Sequence, residues 1–402
     1  MWYIYRMNVI LFDDPSIRVH LLPFTFTRPV ADIRSGILTI REKWERWLKA
    51  DASFLTEDYL SGKYPLKESA DNLLINGALC PDEKLIDAIR QLPMNASLVQ
   101  GEYRIAMRAS SAALSAFDSA QVIEYAGDID LIDRVWKIFQ RNGARIRSDF
   151  HLVTKGKTSY GVQDKPTIVY NEENVFVEEG ATIRAAVLNA ENGPIYIGKK
   201  AIIQEGALIR GPFAMCEGGH VNMGAKVRGD TTVGPYSKIG GEVSNSVFFS
   251  YSNKAHDGFV GNSVIGEWCN IGADTNTSNL KNNYETIKLW NYATGGFKDT
   301  GLQFCGLLMG DHSKCGINTM FNTGTIVGVS ANIFGEGFPR TFIPSFAWGG
   351  ASGFTTFQIN KALDTAAKAM GRRNVTLSEA DHKILQHIYE STKSLRVWEK
   401  QS

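Results

Sequence analysis

The chain has 402 residues, enough for two or three domains of ordinary size. Its 43 Lys and Arg residues nearly balance 42 Asp and Glu residues, and the net charge of +1 gives no overall field that would attract nucleic acid or an anionic membrane. With 44% hydrophobic and 21% charged residues, the composition excludes an intrinsically disordered chain.

The N-terminus and the cysteines predict a cytoplasmic protein. Residues 1–7 lack the long apolar segment of a signal peptide, and no run of about 18 apolar residues predicts a membrane span. The five cysteines are an odd number without a Cys-x-x-Cys pair, which suits a reducing compartment better than a disulfide framework. We therefore expect the protein to reside in the cytoplasm and to bind neither membrane nor nucleic acid.

Residues 1–155 are predicted to form an α/β domain. Strand-like runs alternate with amphipathic helical runs, and such alternation is typical of a mainly parallel sheet covered by helices. The strand-like runs are 8–12, 72–76 and 121–124, and the helical runs are 39–49, 82–91 and 130–139.

A six-residue aliphatic repeat fills the next segment, which we assign to residues 165–350. From Ile197, eight successive sixth residues are aliphatic: Ile197, Ile203, Ile209, Met215, Val221, Val227, Val233 and Ile239. On an α-helix, a step of six residues would scatter these side chains around the axis. On extended chain it keeps them on one side, and a bend after each hexad stacks them into a continuous interior. The repeat predicts a parallel β-helix.

The repeat slips and resumes twice. A second run has Val247, Phe259, Ile265 and Ile271 with a polar interruption at Asn253, and a third has Met309, Cys315, Phe321, Val327 and Ile333. The slips predict a short loop near residues 240–246 and a long one over 277–307. Within the long loop, residues 285–290 and 297–301 are predicted to form a hairpin arm.

Residues 351–402 are predicted to form a helical tail that caps the open end of the coil. Helices are expected over 356–370 and 377–399. The second of them opens with Thr376 and Glu379, spaced as a capping box.

The order of an α/β domain and a hexapeptide coil resembles the bifunctional enzymes that make UDP-N-acetylglucosamine. In that family, a nucleotidyltransferase domain precedes a left-handed β-helix that acetylates glucosamine 1-phosphate. The resemblance is sharpest over residues 252–261, 265–273 and 278–281, and residues 21–29 and 36–44 are similar to the N-terminal signature of a branch seen in Bacteroidetes-like bacteria.

The resemblance implies an acetyl-CoA-dependent N-acetyltransferase that acts on an amino-sugar phosphate or a nucleotide sugar. His256 is the expected general base, because an ammonium substrate must lose a proton before its nitrogen attacks a thioester. If Phe259 and Ile271 point into the coil, Lys254, His256 and Asn270 lie at odd offsets and point outward.

Further site residues are carried over from the same resemblance. It implies that Arg228 and Lys254 hold the sugar phosphate, that Asn270 and Asn279 orient the sugar, and that Lys281 adds charge.

Acetyl-CoA is expected along the coil beside Ala273, Asn318 and Gly335. Backbone N–H groups there would stabilise the oxyanion of the tetrahedral intermediate. In the related enzymes the active-site cleft lies between the β-helices of neighbouring subunits, so the resemblance also implies a homotrimer.

The N-terminal domain departs from the usual nucleotidyltransferase motifs. A glycine-free segment, 12–18, replaces the Gly-rich phosphate loop, Val30 follows Pro29 where a Lys is usual, and Ala78 stands where an acidic metal ligand would fall. Arg28 and Arg34 remain candidates for binding a nucleotide phosphate, with Asp13 or Asp14 as candidate ligands for Mg²⁺ if the domain is active.

Three alternatives stay open from the residues alone. In the first, the coil is a trimerisation scaffold for a nucleotidyltransferase. In the second, it is a zinc hydratase that uses His220, His256 and His312. In the third, the protein is a sugar-nucleotide sensor without catalysis.

Overall fold

The computed structural model describes the backbone of residues 8–400 and the side chains of residues 8–399. The signal-peptide prediction for residues 1–7 therefore lies outside the described residues. Contacts divide the chain into two compact units. The first contains the residues up to Ile33 and Leu38–Arg134, and the second contains Arg34–Ile37 and the chain from Val135 onward.

The first unit is built on a mixed six-stranded sheet, where a mainly parallel sheet was predicted. The strands in spatial order are Ala52–Leu55, Asn8–Phe12, Asn72–Asn76, Tyr103–Ala109, Ala96–Gln100 and Gln121–Glu124. Tyr103–Ala109 runs antiparallel to both of its neighbours, while the other three pairings are parallel. The predicted strands at 8–12, 72–76 and 121–124 are confirmed.

The helices of the first unit are short. They are Pro15–Arg18, Ile40–Leu48 and Glu83–Arg90, with 3₁₀ turns at Val19–Leu21, Phe24–Phe26, Val30–Asp32, Asp58–Leu60 and Leu114–Ser119. The helix predicted over 130–139 is wrong. Asp130–Leu131 instead pairs antiparallel with Leu79–Cys80, and only Lys137–Gln140 is helical.

The second unit contains two helical segments followed by a coil with three flat faces. The helical segments are Lys137–Gln140 and Asn142–Thr154. We name the faces A, B and C in the order in which the chain visits them. Face A consists of Ile168–Tyr170, Val187–Asn189, Leu208–Arg210, Lys226–Val227, Glu242–Ser244 and Phe259–Gly261, and the pair Asn276–Thr277 and Met320–Phe321 forms a two-stranded sheet farther along the chain.

Faces B and C run the length of the coil. Face B consists of Val175–Val177, Ile195–Ile197, Phe213–Met215, Thr231–Val233, Val247–Phe248, Val264–Ile265, Leu307–Met309, Thr325–Val327 and Phe342–Ile343. Face C consists of Thr182–Ile183, Ile202–Ile203, His220–Val221, Lys238–Ile239, Asn253–Lys254, Asn270–Ile271, Lys314–Cys315, Asn332–Ile333, Ala347–Gly350 and Gly353–Thr356. This is the parallel β-helix that the hexads predict, in the left-handed form that the resemblance implies.

The aliphatic residues of the repeat form the interior of the coil. The eight residues from Ile197 to Ile239 are at most 3% exposed, and they share one core cluster with Met309, Cys315, Phe321, Val327 and Ile333. Each coil thus buries its apolar row against the next, which is the main source of stability in a solenoid.

The inward row changes phase after Ile239. Val221 pairs with Ile239, eighteen residues on, but Ile239 pairs with Lys254, only fifteen residues on. Lys254 therefore occupies an inward position, where the sequence analysis placed it outward. Phe259 was predicted inward and lies outward, paired with Glu242, while Val260 takes the inward place.

The predicted hairpin arm is confirmed, since Lys288–Asn291 pairs antiparallel with Gly296–Asp299. The region of 240–246, predicted as a short loop, instead contains the strand Glu242–Ser244 of face A.

The C-terminal tail contains the helices Ile359–Gly371 and Glu379–Ser391, followed by 3₁₀ turns at Lys393–Leu395 and Val397–Lys400. The second helix is capped by Ser378 and Asp381, two residues after the predicted capping box. Ser378 accepts a hydrogen bond from the Asp381 amide, and the Asp381 carboxylate accepts one from the Ser378 amide. No helix among the described residues is long and apolar enough to cross a bilayer.

Candidate active site

His256 lies on an exposed turn at the corner where face C passes into face A. The turn joins the strand Asn253–Lys254 to the strand Phe259–Gly261. Because the corner projects from the coil, the imidazole faces solvent while its backbone is held by neighbouring coils.

Hydrogen bonds from several sides fix the carbonyl groups of this turn. The Asn222 side-chain amide donates to the Ala255 carbonyl at 2.7 Å, and the Asp274 amide donates to the Asp257 carbonyl at 3.0 Å. The Lys254 amine donates to the His256 carbonyl and, at 3.0 Å, to the Asp257 carbonyl. These bonds leave the turn little freedom to change its backbone angles.

Lys254 reaches the turn from inside the coil. The residue is 1% exposed and stands in the row of Ile239, with Asp257, Asp274 and Cys315 as charged or titratable neighbours. Burial lowers the pKa of the Lys254 amine to about 8, partly offset by the nearby carboxylates. Its placement contradicts the predicted contact with a sugar phosphate in solvent, because the amine already serves two backbone carbonyls.

Gly241 allows the previous coil to approach the His256 turn. Its φ of +64° lies in the left-handed region, and a Cβ there would stand 2.9 Å from the His256 carbonyl oxygen and 2.8 Å from the Asp257 Cα. Only glycine fits this backbone and this contact without displacement.

The residues assigned to acetyl-CoA follow the coil beyond this corner. The Asn318 amide donates to the Ala273 carbonyl at 2.8 Å, so these two residues lie on adjacent coils. Gly335 lies one coil further along, because Gly316 stands against Phe334. A Cβ on Gly335 would meet open space, and its φ of +98° accounts for the glycine.

Two of the proposed sugar-binding residues lie beside the strands of face A. Arg228 is exposed and forms an ion pair with Glu242 at 3.1 Å. The Asn279 side-chain amide donates to the Asn262 side chain at 2.8 Å and lies beside Gly261, which is aligned with Ser244 on face A. Both residues lie beside the ends of face A strands, whereas His256 precedes the start of the strand Phe259–Gly261.

Asn270 and Lys281 occupy separate positions. Asn270 is on face C, where its side-chain oxygen accepts a hydrogen bond from Asn253 at 2.9 Å. Lys281 lies in a polar cleft of about 400 Å³ with Ser278 and Asn322. Its amine donates to the Thr286 carbonyl at 2.9 Å, so its charge is partly engaged within the loop.

Taken together, the corner presents an exposed imidazole and backbone groups of successive coils, while a cation and an amide lie beside the ends of face A strands. An exposed imidazole is the group that most often serves as a general base.

The acidic residues considered for Mg²⁺ are engaged in structural contacts. Asp13 is 5% exposed, forms an ion pair with Arg18 at 3.1 Å and accepts hydrogen bonds from Thr56 and the Val30 amide. Burial raises the pKa of its carboxyl group. Asp14 caps the N-terminus of Pro15–Arg18. Both oxygens of Asp13 are therefore engaged within the first unit, and Asp14 is engaged through Oδ1.

The two arginines proposed for nucleotide phosphates are both buried. Arg28 belongs to the first unit, whereas Arg34 is in the segment that joins the second unit. There the Arg34 guanidinium donates to the Ile37 carbonyl and to the Cys216 sulfur at 3.7 Å.

The three histidines of the zinc alternative are not brought together. His312 stacks on Trp268 at the corner between faces B and C. His220 is in the strand His220–Val221 of face C, and His256 is at the corner between faces C and A. Between residues 8 and 399, no group of three His, Cys, Asp or Glu residues is placed to hold a metal ion.

Sequence reasoning missed the residues that support the His256 turn, namely Asn222, Gly241 and Asp274. The pair Gly240–Gly241 is the signal that could have indicated a close approach of two coils. Nothing in the hexad pattern indicates the bond from Asn222.

Known proteins are similar to parts of this chain. Residues 9–158 match the family described as sugar nucleotidyl transferase. The chain is 34% identical over 87 residues to the bifunctional protein GlmU of Methanocaldococcus jannaschii, covering 22% of this chain and 21% of that protein. It is 34% identical over 100 residues to a bifunctional sugar-1-phosphate nucleotidylyltransferase/acetyltransferase of Sulfurisphaera tokodaii, covering 24% of each.

Each of these matches spans about a quarter or less of the relative's length. Among solved structures, the polySia-specific acetyltransferase NeuO is 14% identical with a TM-score of 0.28, covering 47% of this chain and 85% of that one. At this TM-score the likeness adds nothing to the fold described above. Residues 9–158 are thus similar to the sugar nucleotidyl transferase family, and a left-handed parallel β-helix follows in the same chain.

Proposed function

We propose that this protein is an acetyl-CoA-dependent N-acetyltransferase acting on an amino-sugar phosphate or a nucleotide sugar in nucleotide-sugar biosynthesis. The observation that carries the proposal is the exposed imidazole of His256 on a backbone-anchored corner of the β-helix. The fused sugar nucleotidyl transferase domain supports a sugar phosphate or nucleotide sugar as the acceptor.

His256 is the general base of the proposed reaction. It takes a proton from the substrate ammonium, and the freed nitrogen lone pair attacks the carbonyl carbon of the thioester. The nitrogen of the tetrahedral intermediate loses its second proton to solvent, the C–S bond breaks, and coenzyme A leaves as the thiol with a proton returned by the imidazolium. The products are the N-acetyl sugar, free coenzyme A and one proton released to solvent.

The acceptor and the acyl donor meet at the His256 corner. Arg228 and Asn279 beside face A are proposed to bind the sugar phosphate and the sugar, with Asn270 and Lys281 at the edges of the site. Lys254 no longer belongs to this set, because it is inside the coil. Ala273, Asn318 and Gly335 line the proposed path of acetyl-CoA.

A homotrimer and a cytoplasmic location belong to the same proposal. The β-helix of a neighbouring subunit would close the cleft beside the His256 imidazole, which is exposed in the single chain. The five cysteines are free and buried, which supports a reducing compartment. Sedimentation velocity tests the trimer, and a monomer at assay concentration would contradict it.

Thiol release with a panel of amino-sugar 1-phosphates and acetyl-CoA tests the activity. His256→Ala is expected to lower kcat by roughly 10²- to 10⁴-fold, the usual contribution of a general base. His220→Ala is the matched control, since that imidazole is on face C away from the corner, and it is expected to retain activity.

Equal activity of the parent protein and His256→Ala would contradict the assignment of the base. No thiol release with any acceptor, together with tight binding of a nucleotide sugar, would favour the sensor alternative.

A further inference from the structure

We propose that Lys254 is a positioning residue, which holds His256 in its reactive orientation from inside the β-helix. The inference rests on the proposed function, since it assigns a role in presenting the proposed base. Lys254 does not touch substrate in this account and acts through the backbone of the turn.

The first argument is the position of Lys254 in the inward row. It pairs with Ile239 and is 1% exposed, at a place that neighbouring coils give to aliphatic or small apolar side chains. An amine at such a site loses hydration and is retained only where its hydrogen bonds are satisfied. The packing of the core alone does not call for it.

The second argument is the destination of the amine. Nζ donates to the carbonyl groups of His256 and Asp257, two consecutive peptide units. These two planar units are joined by φ and ψ of Asp257, so fixing both carbonyls fixes these torsions. Together with the bond from Asn222 to the Ala255 carbonyl, the bond to the His256 carbonyl also fixes the peptide units on both sides of the His256 Cα, and with them the direction of the side chain.

The third argument is the arrangement of the other contacts on the turn. Asn222 binds the carbonyl before His256, and the Asp274 amide binds the carbonyl after it. Asn222 comes from two coils before the turn and Asp274 from the coil after it, and they anchor the two ends of the turn. The bond from Lys254 supports the central peptide unit, which carries the imidazole.

Productive acyl transfer depends on such placement, because a misplacement of about 1 Å lowers rates by up to roughly 10²-fold. In a fixed turn the imidazole is already ordered before the substrates bind, so binding costs less conformational entropy.

Two variants and a control test the inference. Lys254→Met removes the amine and keeps an apolar stem of similar length, and Lys254→Gln keeps N–H donors on a shorter side chain. Lys314→Met is the control, because Lys314 is also on face C and its amine donates to a backbone carbonyl, that of His312 at 2.9 Å. All kinetics are measured well below the unfolding temperature of each variant.

We expect Lys254→Met to lower kcat at least about tenfold with less than about a threefold change in KM, partial recovery in Lys254→Gln, and kcat within about twofold of the parent in Lys314→Met. A kcat unchanged in Lys254→Met, with only its unfolding temperature altered, would overturn the inference.

A second readout separates this inference from the proposed function. In spectra of ¹³C-histidine-labelled protein, the ring signal of His256, assigned with His256→Ala, is expected to shift or broaden in Lys254→Met and to stay unchanged in Lys314→Met. If the parent protein has no acetyl-transfer activity but the signal changes as expected, the proposed function fails and the positioning role stands. An unchanged signal in Lys254→Met would overturn the positioning role whether or not the protein is active.

Discussion

Lys254 is a charged residue in a row that the coil otherwise fills with apolar side chains. The sequence alternation placed it outward, since its offset from Ile271 is odd. The register shows why that inference fails, because the coil between Ile239 and Lys254 is three residues shorter than the coil before it. A shortened coil leaves no mark in the hexad pattern other than the slip itself.

The buried amine predicts a specific dependence of stability on pH. The pKa of Lys254 is about 8 in the folded protein and about 10.5 unfolded. Between these values the unfolded chain binds more protons, so the free energy of unfolding rises with pH, by at most about 3 kcal/mol in total. Below pH 8 both states are protonated and this contribution does not change.

Urea unfolding of the parent protein and Lys254→Met at pH 7 to 10.5 measures this effect. The variant is expected to lack the rise contributed by Lys254, while Lys314→Met controls for the loss of a half-buried amine on the same face. Parallel profiles for the parent and Lys254→Met would show that the amine titrates as it does in water.

At the scale of single elements, the glycine at position 241 permits the close approach of two coils. Gly241→Ala would place a Cβ 2.9 Å from the His256 carbonyl oxygen in a left-handed conformation. We expect a loss of about 1 to 3 kcal/mol in the free energy of unfolding, measured by urea titration. Gly335→Ala is the control, since its Cβ would meet open space while its φ is also positive. An equal loss in both variants would assign the effect to backbone conformation alone.

The cap of the last helix gives a second test at this scale. Ser378→Ala removes the side-chain acceptor for the Asp381 amide and is expected to destabilise Glu379–Ser391 by about 1 kcal/mol. Hydrogen exchange of the first turn measures the change. Thr376→Ala, at the position that the sequence suggested for the cap, is expected to have little effect, and a larger effect there would contradict the cap.

For the molecule as a whole, the family match and the contacts of Asp13 give opposite indications of whether the first unit binds a nucleotide with Mg²⁺. The match indicates a nucleotidyl transferase domain, but both acidic candidates for Mg²⁺ are engaged. Calorimetric scans are therefore expected to show no stabilisation by UTP with Mg²⁺. Acetyl-CoA at about 100 times its Kd is expected to add about 2.7 kcal/mol of stability. Stabilisation by UTP with Mg²⁺, without stabilisation by acetyl-CoA, would favour a nucleotidyltransferase in which the β-helix is a scaffold.

The sequence predicts most of the β-helix but only part of the site. Aliphatic periodicity follows from burial, so the hexads of Ile197 to Ile239 are found without a structure. The contact of Lys254 with the turn and that of Asn222 with Ala255 join residues whose spacing carries no periodic signal. The first sheet was predicted less well, because antiparallel insertion of Tyr103–Ala109 depends on tertiary pairing.

The central claim is that acyl transfer takes place at the corner of the coil that carries His256. A crystal structure of the protein with coenzyme A tests it most directly. We predict the thiol of coenzyme A beside His256, with the pantetheine chain passing Ala273 and Asn318. Coenzyme A bound on another face or corner of the β-helix, remote from that imidazole, would contradict the account.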